Sequence, residues 1–139
     1  MTPFLSSHFA VSLALAAVLW TVQLIIYPAF RYIDATQFER WHYRYTGAIT
    51  WIVAPLILIQ TGGVALRFFV LESPDSLWFL EAFFTFVAWA VTGLISIPIH
   101  KKLQKERTDA SVSALVRTNW WRTAAWSVTA VCSWLASNQ

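Results

Sequence analysis

The chain has 139 residues, 58% hydrophobic and 12% charged, with a formal charge of +3. A soluble fold of this size buries only about two-thirds of its surface, so this composition excludes an ordinary water-soluble domain and makes lipid the better solvent. The small positive excess is read as loop charge that orients the chain, not as a nucleic-acid surface. The single Cys132 excludes an internal disulfide or a cysteine-based metal cage.

The first apolar run, about 4–30, has no basic leader and is longer than the roughly 7–15 residues of a signal-peptide core, so a retained span is expected. The stretch "RYIDATQFERWHYRY", Arg31 to Tyr45, is mixed polar and aromatic. It predicts an interfacial helix that continues into a second span, about 47–70, with the core "GAITWIVAPLILIQTGGVAL". Ser73-Pro74-Asp75 marks a turn. A third span, about 77–100, follows as "LWFLEAFFTFVAWAVTGLISIPI" and onward. The charged connection "HKKLQKERTDAS" leads to a fourth span, about 112–136, whose helix is expected to start outside hydrocarbon with Asp109 or Ser111 as its cap. The expected fold is one domain: an all-α integral membrane protein, an antiparallel four-helix transmembrane bundle with an interfacial helical extension before the second span.

Basic residues set the expected orientation. The first connection holds Arg31, Arg40 and Arg44, and the third holds Lys101, Lys102, Lys105 and Arg107. The second holds only Arg67, beside Glu72 and Asp75. The positive-inside rule places the first and third connections in the cytoplasm of a bacterial inner membrane and both termini outside it.

Helical periodicity gives each span a polar and aromatic stripe. The first carries Trp20, Gln23 and Tyr27. The second carries His42, Tyr45, Thr46, Ile49 and Gln60, with Pro55 interrupting the ladder. The third carries Thr85, Trp89, Thr92, Gly93, Ser96 and His100. The fourth carries Asn119, Arg122, Thr123, Trp126, Thr129 and Ser133. Such stripes turn away from hydrocarbon toward neighbouring helices or a wet cavity, although serine and threonine can also bond to carbonyls of their own helix.

The expected site lies near the cytoplasmic leaflet, with Trp20, Gln23, Tyr27, His42, Tyr45, Trp89, His100, Asn119, Arg122 and Trp126 as ligand-binding residues. His42, His100 and Arg122 are the catalytic candidates. Each has a plainer reading: Arg122 snorkels to phosphates, His100 finishes its helix, and His42 lies on the surface. Trp120 and Trp121 are read as belt anchors, Glu81 as interfacial, and Gly62-Gly63 as helix packing. Two histidines are the minimum for a bis-histidine haem, a weaker reading, and no structural metal set is found.

The segments "WTVQLIIYPAFRYIDATQFERWHYRYT", "IPIHKKL" and "LVRTNWWRTAAW" resemble a group of small bacterial four-span membrane proteins of unknown role. More distantly they are similar to the anthrone-oxygenase-like membrane family, on Pro28, His42, Pro98, His100, Asn119 and Arg122. The resemblance implies oxygen-dependent oxidation of an activated phenolic ring without a metal. His42 or His100 would act as base, and Arg122 with Asn119 would hold the oxyanion.

Three functions are therefore expected in order: binding of a hydrophobic ring-containing ligand (quinone, pigment or lipid-like), cofactor-independent oxygenase-like catalysis on a phenol, or service as an accessory subunit of a larger membrane complex. Homo-oligomerisation is also compatible.

Overall fold

A computed structural model describes residues 3–70 and 74–138, with the Val70 side chain excepted. No strand occurs among the described residues. They form four helical rods: α1 (Pro3–Tyr32), α2 (Ala35–Val70), α3 (Ser76–Lys105) and α4 (Asp109–Ser137). The expected extension before the second span is part of α2, which runs unbroken for 36 residues with Pro55 inside it. Ser73 of the expected turn and Glu72 lie outside the described residues.

The rod ends follow from their side chains. Asp34 accepts the Thr36 N–H at 2.8 Å where α2 begins, and Asp75 accepts the Trp78 N–H at 2.8 Å at the start of α3. The expected cap of α4 is corrected. Thr108, not Asp109 or Ser111, is the capping residue, and its hydroxyl accepts the Ser111 N–H at 3.1 Å. Thr108 is the residue with extended backbone there, which a cap requires. At the end of α1, Arg107 donates to the Phe30 and Arg31 carbonyls at 3.3 and 3.1 Å, satisfying acceptors that the helix leaves open.

Three rods are long and apolar enough to cross a membrane: Pro3–Tyr32, Ala35–Phe69 and Ser76–Lys105. The fourth expected span is not among them. The reason is packing. α4 lies along both α1 and α3 and buries Ser111, Asn119, Arg122, Thr123, Thr129 and Ser133 against them. A helix covered by protein need not be greasy on every side. α2 packs on α1 and α3. The outer surface is apolar instead: Ile25, Trp51, Phe69, Phe86 and Leu94 are exposed.

α1 and α3 share a local irregularity. Val22–Ile26 and Thr92–Ser96 are wound as π-helical turns, closed by Tyr27 N–H to the Val22 carbonyl and Ile97 N–H to the Thr92 carbonyl. Pro28 and Pro98 follow each turn, and neither can donate to the carbonyl four residues back. The wide turn adds one residue, which rotates all that follows by about 100°. This rotation corrects the stripe of α1. Trp20 would align with Tyr27 in a regular helix. With the extra residue between them, Tyr27 is buried while Trp20 is 41% exposed.

At the end of the rods holding the amino-terminal half of α1, a buried polar clamp draws on all four. Glu81 is 0% exposed, which overturns its reading as interfacial. One carboxylate oxygen accepts from His8 Nε2 and the Ser133 hydroxyl, both at 2.6 Å, with Gln60 Nε2 at 3.4 Å. The other accepts from Arg67 Nη1. Ser12 adds a 3.0 Å bond to Ser133. An acid buried this deeply persists because a cation and several donors meet it. Gly63 permits the His8 approach: a Cβ there would lie 2.2 Å from His8 Nδ1, whereas a Cβ at Gly62 meets nothing.

Candidate functional site

A partly open cleft of about 550 Å³ lies between α2 and the other three rods. One stretch of wall is apolar: Leu19, Val53, Ile57, Leu58 and Trp89. Another is polar: Tyr27, His42, His100, Gln104, Lys101 and Arg122. Of the expected ligand-binding residues, Tyr27, His42, Tyr45, Trp89, His100 and Arg122 line this cleft. Gln23 and Asn119 are buried one layer behind Arg122. Trp126 is fully buried in the apolar cluster with Leu15, Leu19 and Ile57. Trp20 is on the outside, bonded to Ser127 at 3.0 Å and edge-on to Trp120.

Phe30, 0% exposed, organises the polar end. Its ring meets those of Phe38, Trp41, His42, Tyr45, Tyr27 and His100, mostly edge to face. Phe38 stacks on His42 at 5.3 Å and His42 on His100 at 5.2 Å. These contacts leave the imidazoles little choice of ring angle.

The hydrogen bonds then have a direction. Gln104 Nε2 donates to the Glu39 carbonyl at 3.0 Å, so its Oε1 faces His42 and can only accept. The 2.7 Å bond therefore comes from His42 Nδ1–H. With both rings neutral, His42 Nε2 is an acceptor and takes His100 Nδ1–H at 2.9 Å. His100 Nε2 in turn takes the Tyr27 hydroxyl proton at 2.9 Å. Tyr27, His100, His42 and Gln104 thus form one ordered chain of donors ending on a backbone carbonyl.

A second chain runs beside it. Gln23 Nε2 donates to the Val116 carbonyl at 3.0 Å, which leaves Gln23 Oε1 to accept from Asn119 Nδ2 at 2.9 Å. Asn119 Oδ1 then accepts from Arg122 Nη1 at 3.1 Å. Both chains begin at a donor on the cleft wall, a phenol and a guanidinium, and both drain into helix carbonyls. Arg122 Nε and the Ser96 hydroxyl, on the same wall, are buried without partners among the described residues.

The weaker haem reading does not suit this arrangement. An ion between two imidazoles needs nitrogens about 4 Å apart, since each metal–nitrogen bond is about 2 Å. His42 Nε2 and His100 Nδ1 are 2.9 Å apart, a separation that fits one shared proton. Among the described residues, no group of three or more His, Cys, Asp or Glu is placed to hold a metal.

Sequence reasoning did not single out Gln104, Phe30, His8 or Arg67. Gln104 lies in a connection read as merely charged, yet it is four residues beyond His100 and so shares its face. Arg67 is seven residues beyond Gln60, again one face, which marks it as inward rather than as loop charge. Comparison with protein-family models, with curated proteins and with solved structures finds no match for this chain.

Proposed function

We propose that this protein binds a hydrophobic, ring-containing ligand (quinone, pigment or lipid-like) in the cleft between α2 and the other rods. The setting is an antiparallel four-helix bundle in a bacterial inner membrane, with the His/Asn/Arg cluster near the cytoplasmic leaflet and both termini on the far side. The observation that carries the reading is the cleft itself. A largely apolar cavity of about 550 Å³ with a few convergent polar groups is what a small amphiphilic ligand requires. Support for a lipid setting comes from the distribution of side chains. Leucine, isoleucine, phenylalanine and tryptophan cover the outside, while His8, Gln60, Arg67, Glu81, Asn119 and Arg122 are inside.

The test is to purify the protein from its native membrane in mild non-ionic detergent, extract it with organic solvent and identify co-purifying molecules by mass spectrometry and visible absorption. About one equivalent of a ring-containing molecule per chain is expected in the wild type. It should be depleted in folded His42→Ala and Arg122→Ala variants. Absence of any such molecule, or its full retention in both variants, would end the proposal.

A second reading, catalysis on a phenolic ligand, draws on the ordered chain from Tyr27 to His42. A phenol in the cleft can give its proton to Tyr27 Oη while Tyr27 passes its own proton to His100 Nε2. Arg122 would face the resulting phenolate. Oxygen uptake in the presence of a phenol, lost in His100→Gln with ligand still bound, would separate catalysis from binding.

A further inference from the structure

Arg122 is a buried cation whose charge no described residue balances. Its side chain is 7% exposed. Its Nη1 donates to a neutral amide, and its Nε–H has no partner among the described residues. Among the described residues, the carboxylates that meet a basic side chain within ion-pair distance are Glu81 and Asp75. Both are at the other end of the rods, with Arg67 and His8. Among the described residues no aspartate or glutamate lines the cleft, and Lys101 brings a second positive charge to its wall. The Ser96 hydroxyl, 2% exposed, adds a free donor on the same wall.

A guanidinium cannot escape such a position by losing its proton. Taken out of water, it is stable only where an opposite charge or a full set of acceptors meets it. Asn119 supplies one acceptor, and the Tyr27 hydroxyl is close enough to interact. Neither carries a negative charge while Tyr27 keeps its proton.

We infer that the ligand supplies that charge: the cleft takes an anionic amphiphile, a carboxylate or phenolate joined to an apolar ring and chain. The ionised oxygen meets the Arg122 guanidinium where it lines the cleft. The apolar part lies along Leu19, Ile57 and Trp89. Because this rests on the cleft being a ligand site, the test must separate loss of charge preference from loss of binding.

Tryptophan fluorescence of the protein in dodecyl maltoside, titrated with para-octylbenzoate and with para-octylbenzamide, makes that separation, since the two probes differ chiefly in charge. The benzoate is expected to bind roughly tenfold or more tightly than the amide, the range of a charge-assisted hydrogen bond. Arg122→Gln should bring benzoate binding down to the level of amide binding, and Arg122→Lys should keep part of the preference. Equal binding of the two probes to wild-type protein overturns the anionic ligand and leaves the cleft reading intact. Binding of neither probe overturns both. A preference that survives Arg122→Gln but disappears in Lys101→Gln assigns the charge readout to the wrong residue and overturns the inference. Phosphatidylglycerol binding without benzoate binding does so as well.

Discussion

Gln104, itself uncharged, orients two histidines of the cleft wall. Its amide is pinned by the Glu39 carbonyl, and that one bond fixes the tautomer of His42 and, through it, of His100. Gln104→Ala leaves a buried imidazole N–H without its acceptor, a loss of about 1–3 kcal/mol. The more telling readout is nitrogen NMR of the side chains. Wild-type protein is expected to show both rings protonated at Nδ1, and the variant a mixture of tautomers. Asp34 offers a separate check outside the rods. Its carboxylate is held below the usual range, first by the Thr36 hydroxyl and then by the Thr36 N–H. Its folded value lies below its unfolded one. The cap therefore contributes fully at pH above the ordinary carboxylate range and is lost as pH falls through the lowered value. Carbon NMR of the Asp34 carboxyl should show its midpoint rise in Thr36→Val. At this scale the sequence was partly legible. His42, His100, Asn119 and Arg122 stand out because polar groups in apolar runs need partners. Gln104 does not, because in a run of lysines only its spacing from His100 sets one half-buried glutamine apart.

At the scale of elements, a π turn in each of two rods interrupts the regular phase of its stripe. The apolar runs gave the position of α1, α2 and α3, and the aromatic stretch before the second span read correctly as helix. Side-chain phase was less legible. A steady 100° step places Trp20 with Tyr27, and the extra residue of the first π turn separates them, whereas Trp89 and His100 both still line the cleft. Pro28 and Pro98 hint at an irregularity without stating which way the helix will resolve it. Gly62 and Gly63 make a similar point. The pair reads as helix packing, but only Gly63 faces His8. Gly63→Ala is expected to destabilise by about 1–3 kcal/mol through overpacking. Gly62→Ala should be neutral or stabilise by up to about 1 kcal/mol through helix propensity. Thermal unfolding of the two variants in one detergent checks the contrast.

On the scale of the whole molecule, polar contacts near opposite ends tie the rods together and an apolar middle packs between them. This fits a solvent in which apolar surface gains little by being buried and hydrogen bonds do much of the joining. The clamp at Glu81 is the structural end. Glu81→Ala would strand Arg67 and His8 without their carboxylate, at a cost of about 3–5 kcal/mol, read as lowered resistance to thermal unfolding. The opposite end, with its cleft, is the proposed functional one. α4 is less apolar than the other three rods because a helix wrapped by α1 and α3 can be polar along much of its length.

The most direct test of the cleft as the binding site is to fill it. Ala54 is on its wall, while Ala48 is exposed on the same rod and is not part of the cleft. In membranes that supply the native ligand, Ala54→Trp is expected to purify folded, with unchanged helix content but without the co-extracted molecule, whereas Ala48→Trp keeps it. Full ligand content in a folded Ala54→Trp protein would contradict the account.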